Sequence, residues 1–169
     1  YNPVEEYLYD TGRWDGKDRI RALADLVPCH NPHWQELFYR WFLGMVAHWR
    51  GMDRQHGNNT SPLLVGSQGF RKSTFCRILL PPELRFGYTD SIDFKSRQEA
   101  ERSLGRFLLV NIDEFDQISI NQQGFLKHLL QKPVANLRKP YGSTIREMRR
   151  YASFIGTSNQ KDLLSDPSG

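Results

Sequence analysis

Lys72, Ser73, Asp113 and Glu114 are the residues of this 169-residue chain whose types and settings first suggest chemistry. Lys72 and Ser73 close the stretch Gly66-Ser67-Gln68-Gly69-Phe70-Arg71-Lys72-Ser73-Thr74, which follows a short apolar run from Leu63 to Val65. A strand, a glycine-containing turn and a helix starting at Lys72 make the layout of a phosphate-binding P-loop. Glycine lets backbone N–H groups approach phosphate oxygens, and the start of a helix adds unpaired donors. Lys72 would reach the terminal phosphates and the Ser73 hydroxyl would take a Mg²⁺ position. Gly66 holds the first glycine position and Gly69 adds a second flexible point. Arg71 stands where the pattern puts glycine, directly before the lysine. Without further signals, the same stretch reads as a strand–turn–helix connection with a capping hydroxyl.

The further signal is Asp113-Glu114, which ends the nearly continuous apolar run from Phe107 to Ile112. Such a run fits a strand covered on both faces of a parallel sheet, and ligands of open α/β sheets bind beyond the carboxyl ends of the strands. Asp113 would hold Mg²⁺ and Glu114 would orient or deprotonate an attacking water. Either acid alone would read as a solvated turn. A later strand-like run, Tyr151 to Gly156, leads into Thr157-Ser158-Asn159, and a neutral amide at Asn159 would contact a γ-phosphate or position the water.

These residues need a scaffold. Residues 2 to about 51 read as helical, with Trp34, Leu37, Phe38, Trp41, Met45 and Trp49 at three- and four-residue steps. That aromatic stripe reads as core packed on the rest of the domain. The polar stretch from Gly51 to Ser61 marks a boundary, giving a helical region over 1–60 and a core over 61–169. Helices are expected from about Lys72 to Leu80, Lys95 to Leu104 and Gln122 to Gln131, with residues 134–150 as loop or hairpin. Strands alternating with helices give an α/β fold with a mainly parallel sheet.

Hydrophobic residues at 38% and charged residues at 25% describe a soluble globular chain. No apolar run approaches the roughly 20 residues that span a bilayer, which excludes a membrane partner from the reading. Cys29 and Cys76 are too few for a disulfide framework and fit free thiols in a cytoplasmic protein. Cys29-His30-Asn31-Pro32-His33 lacks a second ligand pair and reads as the entry to a helix. The net charge of +4 is compatible with a polyanionic partner.

Four stretches occur in one order: Gly66-Ser67-Gln68-Gly69 with Lys72-Ser73-Thr74, Asn111 to Asp116, Arg138-Lys139-Pro140-Tyr141-Gly142, and Phe154 to Asn159. Together they resemble the virulence-associated protein E family of bacterial prophages and mobile elements, itself similar to the superfamily 3 helicase branch of the AAA+ ATPases. The resemblance implies a P-loop NTPase core with Walker A at Gly66–Thr74, Walker B at Asp113-Glu114 and sensor 1 at Asn159. It implies a strand order in which the 151–156 strand separates the other two. Its implied activity is a helicase-like ATPase using ATP and Mg²⁺, acting on single-stranded or forked DNA in mobile-element replication as a homo-oligomeric ring. Arg138, Lys139, Arg146, Arg149 and Arg150 fall where such proteins carry a hairpin facing nucleic acid; a solvated basic loop is the other reading. Family members continue past the Asp166-Pro167-Ser168-Gly169 segment to an arginine finger, so the core is expected to be C-terminally truncated. Two other functions remain open: a nucleotide-binding regulatory or scaffold module with little turnover, and a P-loop phosphotransferase.

Overall fold

The computed structural model describes residues 2–138 and 145–160. Three helices come first: α1 (Pro3–Asp10), α2 (Arg19–Asp25) and α3 (Trp34–Arg50). Asn2 and Asp18 cap α1 and α2 with side-chain oxygens. Gly51 ends α3 at φ 65°, the left-handed turn that favours glycine. The remainder alternates strands and helices: β1 (Leu63–Val65), α4 (Lys72–Ile78), β2 (Tyr88–Thr89), α5 (Arg97–Arg106), β3 (Leu109–Ile112) and α6 (Ile120–Gln131). It ends in β4 (Val134–Arg138), β5 (Ile145–Arg149) and β6 (Ser153–Ser158).

Four strands form a parallel sheet in the order β1-β6-β3-β2. The last of them, β6, thus lies between β1 and β3, pairing Leu64 with Thr157 and Val110 with Phe154. β3 and β6 are buried along their whole length, so Leu109, Val110, Ile112, Phe154 and Ile155 show no in-and-out alternation, while Asn111, Ser153, Thr157 and Ser158 are buried polar residues. Val134–Arg138 and Ile145–Arg149 pair as antiparallel strands, with Ala135 opposite Met148.

Alternate residues of each strand face opposite sides of the sheet. On one side Leu64, Leu109 and Ile155 meet Phe38, Trp41, Met45 and Trp49 of α3, together with Cys76 and Leu79. On the other, Val110, Ile112 and Phe154 meet Leu104 of α5 and Leu126 and Leu129 of α6. The N-terminal helices therefore share a core with the sheet. Trp49 adds a polar tie, its indole N–H donating to the Leu108 carbonyl at 3.1 Å. The polar 51–61 segment is stitched to both sides, since the Asn58 amide donates to Trp41 O (3.1 Å) and to Ser153 Oγ (2.9 Å). Phe38 also lies 6.2 Å from the ring of Phe75, so α3 packs directly on α4. Cys29 to His33 form the entry to α3, where the Asn31 side chain accepts from the His33 N–H. Among the described residues no helix is long and apolar enough to cross a membrane.

Candidate functional site

The β1–α4 connection carries the first group of side chains. Its start is fixed by the Gly66 N–H, which donates to Ser158 O of β6 at 3.1 Å. Gly69 turns at φ 91° and Arg71 at φ 54°, ψ 31°, after which α4 begins at Lys72. The position that usually holds glycine is thus left-handed here and occupied by arginine. Lys72 folds back over the loop: Nζ donates to Gly66 O (2.6 Å), Ser67 O (2.9 Å) and Asn159 Oδ1 (3.0 Å).

The second group comes from the end of β3. Asp113 Oδ1 accepts from Ser73 Oγ at 2.8 Å and from the Thr157 hydroxyl. Glu114 follows with φ 51°, exposed beside the cleft. The third group ends β6. Ser158 Oγ and the Asn159 N–H both lie on Asp116 Oδ1, at 2.9 and 3.3 Å. These bonds, after that from the Gln117 amide, hold the Asp116 carboxyl below the usual carboxylate range. Beneath the site, burial and then the Asp113 charge push the Cys76 thiol up to about 12.

The three strand ends surround one cleft of about 280 Å³. Gln68, Gly69, Arg71, Lys72, Ser73, Thr74, Asp113, Glu114 and Asn159 line it, joined by Thr157 and Ser158. Gly66, Ser67 and Phe70 face a separate apolar cavity on the other flank of the loop, which Lys72 also borders. Thr157, Ser158 and Asp116 were given no role in the sequence reading. Their signal was position: hydroxyls at the end of a buried strand directly before Asn159, and a third acid after Glu114.

The basic segment divides. Arg146 is exposed on β5. Arg149 is half-buried, donating to Trp49 O at 2.8 Å, with its guanidinium 4.9 Å from the Tyr151 ring. Arg150 is 1% exposed. Its guanidinium donates to the carbonyls of Ala152 (2.8 Å), Leu129 (3.1 Å), Leu130 (2.8 Å) and Lys132 (2.5 Å). Burial without a carboxylate partner pulls its pKa down to about 10. Arg150 therefore cannot meet nucleic acid, and Arg149 is committed to α3; both expectations are corrected, because these charges anchor the hairpin instead. Glu101 of α5 completes the anchor, accepting from Lys132 Nζ (2.5 Å) and the Asn136 N–H (2.7 Å). Arg138 closes β4; Lys139, Tyr141 and the Asp166–Gly169 end lie outside the described residues.

No curated protein matches the chain. Solved structures of the C-terminal region of NrS-1 in its apo form share the fold. The first has a TM-score of 0.55 at 17% identity, over 83% of this chain and 32% of that one. A second gives 0.56 at 17% identity, over 83% and 33%. A third gives 0.52 at 16%, over 83% and 32%. The chain thus spans about a third of the length of the structures it matches. The model of the virulence-associated protein E-like domain matches residues 8–169, nearly the whole chain. By that match, the chain belongs to the virulence-associated protein E-like domain family.

Proposed function

We propose that this domain is a P-loop NTPase core that binds ATP with Mg²⁺ and hydrolyses it, as a helicase-like ATPase acting on DNA in the replication of a phage or mobile element. One observation carries the reading. Lys72, Ser73, Asp113 and Asn159, from three adjacent strand ends, are joined directly by hydrogen bonds around one polar cleft. A cation beside hydroxyls, carboxylates and an amide at the carboxyl end of a parallel sheet suits a polyphosphate and its metal. Membership of the family and the order β1-β6-β3 support it further.

The donor set fits Mg²⁺. Ser73 and Asp113 offer hard oxygens 2.8 Å apart, and Mg²⁺ prefers one or two protein oxygens with phosphates and water over a protein cage. Those two residues would hold the ion, which supplies charge neutralisation at the phosphates when bound. The Thr157 hydroxyl donates to the same Asp113 oxygen and helps to hold the carboxylate in place. Lys72 already lies on an acceptor at Asn159, so an anionic oxygen that displaces the amide oxygen gains a charge-assisted bond. Glu114, an exposed carboxylate lining the cleft, would accept a proton from water, and Asn159 would orient that water. In the hairpin, Arg146 remains free to follow a DNA backbone, with Arg138 and Lys139 as further candidates. A homo-oligomeric ring would bring several such hairpins to one strand.

The second reading, a nucleotide-binding regulatory module with little turnover, is favoured by Arg71 in the glycine position, because it leaves a Cβ on a left-handed residue of the loop. Calorimetric titration with Mg-ATP, and turnover with and without single-stranded DNA, decide between the two. Lys72→Ala should abolish binding. Glu114→Gln should retain binding and cut turnover by roughly 10²–10⁴, the usual worth of a general base. Unaltered ATP affinity in Lys72→Ala would refute the site; binding without turnover in either condition selects the regulatory module.

A further inference from the structure

Asp116, the third acid after β3, is set apart from the two before it. Glu114, at φ 51°, turns the chain into a single 3₁₀ turn over Phe115–Gln117, closed by the Gln117 N–H on Glu114 O at 2.8 Å. Phe115 packs against the core shared with α5 and α6, and the turn lies against the end of β6. Both oxygens of the Asp116 carboxyl carry donors. Oδ1 accepts from Ser158 Oγ (2.9 Å) and the Asn159 N–H (3.3 Å), and Oδ2 accepts from the Gln117 amide (2.9 Å). Gln160 O, at 3.1 Å, competes for the one Ser158 hydroxyl proton, and the carboxylate is the stronger acceptor. Ser158 and Asn159 line the polar cleft whereas Asp116 does not. Its charge is thus committed to the end of β6, one step behind the cleft wall.

Asn159 is held at two points: its N–H lies on Asp116, and its Oδ1 accepts from Lys72 Nζ at 3.0 Å. A phosphate oxygen that takes over Lys72 releases the second hold and leaves the first. We propose that Asp116 is a positioning residue for the γ-phosphate: its carboxylate fixes Ser158 and Asn159, so that the Asn159 amide stays aimed at that phosphate once a nucleotide has taken Lys72. The proposal rests on the nucleotide-binding reading above. A polar group already held in its bound place loses less freedom on binding than one that must first be ordered. ADP ends at its β-phosphate and gives the Asn159 amide nothing to contact. The contribution of Asp116 is therefore confined to triphosphates.

Calorimetric affinities for Mg-ADP and for the non-hydrolysable analogue Mg-AMPPNP separate this role from a merely structural one. Asp116→Ala should weaken Mg-AMPPNP about fivefold, the net worth of one hydrogen bond. It should leave Mg-ADP within about twofold, as for a substitution with no part in binding. Asp116→Asn keeps an acceptor oxygen at the same place and should restore most of the lost affinity. In an Asn159→Ala background, Asp116→Ala should add no further loss, because the two residues act as one unit. A measurement on the parent needs no variant to fold: by NMR, the Asn159 amide should exchange with solvent as slowly with Mg-AMPPNP bound as without it. Faster exchange in the bound state would show the tie broken and overturn the proposal. Equal effects of Asp116→Ala on both nucleotides, no effect on either, or losses that add in the double variant would also overturn it, and would leave the phosphate site standing. A parent that binds neither nucleotide would overturn the nucleotide reading itself.

Discussion

Replacing Arg71 with glycine should stabilise the protein, although it truncates a side chain at the candidate site. Arg71 sits at φ 54°, ψ 31°, is exposed, and makes no side-chain capping bond to α4. Its structural contribution is its carbonyl, which accepts from the Phe75 N–H at 3.0 Å and survives the substitution. A Cβ in the left-handed region costs about 1–2 kcal/mol. Glycine gives back about 0.5–1 kcal/mol through the greater freedom of the unfolded chain. The difference leaves Arg71→Gly more stable by about 0.5–1 kcal/mol, or about 1–4 °C in Tm for a domain of this size. Urea denaturation should show the gain as a raised midpoint at unchanged m-value. Arg71→Ala separates the two causes, because it removes the guanidinium but keeps the Cβ. It should stay within about 0.5 kcal/mol of the parent. Equal stability of the alanine and glycine variants, or a loss on going to glycine, would refute the argument from backbone strain.

The hairpin arginines should respond in opposite ways. Arg150→Ala leaves the carbonyls of Leu130, Lys132 and Ala152 without their guanidinium donor. At about 1 kcal/mol for each buried orphan, it should cost about 3 kcal/mol in chemical denaturation. Arg146→Ala should leave stability within about 0.5 kcal/mol while lowering the salt slope of single-stranded DNA binding by roughly one. His48 should give the fold a pH dependence. Burial first, then the charges of Arg150 and Arg149, hold its pKa below the ordinary histidine value against an opposing pull from Asp53. Below about pH 6.5 the unfolded chain takes up a proton that native His48 refuses, so stability should fall as pH drops and level off below the native pKa. His48→Asn should flatten that step in urea midpoints measured from about pH 7.5 to 5.

The sequence spoke clearly where chemistry and burial coincide. Leu109, Val110, Ile112, Phe154 and Ile155 are apolar because they lie between two covered faces, and polar groups follow at the strand ends, so both strands and Asp113 and Asn159 could be read together. The aromatic spacing of α3 likewise announced a buried face. The hairpin was harder. β5 is exposed along Ile145 to Met148, so no hydrophobic alternation marks it as a strand. Arg149 and Arg150 misled for a related reason: a count of charges carries no information on burial, and nothing local reveals that the carbonyls of Leu129 and Leu130, some 20 residues earlier, await donors. Thr157 was hidden by its type, since threonine at a strand end is ordinary β-branched packing until its hydroxyl is seen on Asp113.

The place of β6 also governs how the domain comes into being. β1 and β3 do not touch; each pairs only with β6 on that side of the sheet, and β6 is the last described strand to leave the ribosome. At ordinary synthesis rates of roughly 5–20 residues per second, β1 waits about 5–20 s for its partner. Until β6 arrives, Leu64, joined by Val110 and Ile112 once β3 has been made, lies on a strand with an open edge, and the aromatic face of α3 lacks the Ile155 that will seat against it. Unpaired edges with apolar flanks are where nascent chains join one another. Closure of the sheet is thus a single late insertion between two waiting strands, and substitutions in β6 should be felt as lost soluble yield before they are felt as lost activity.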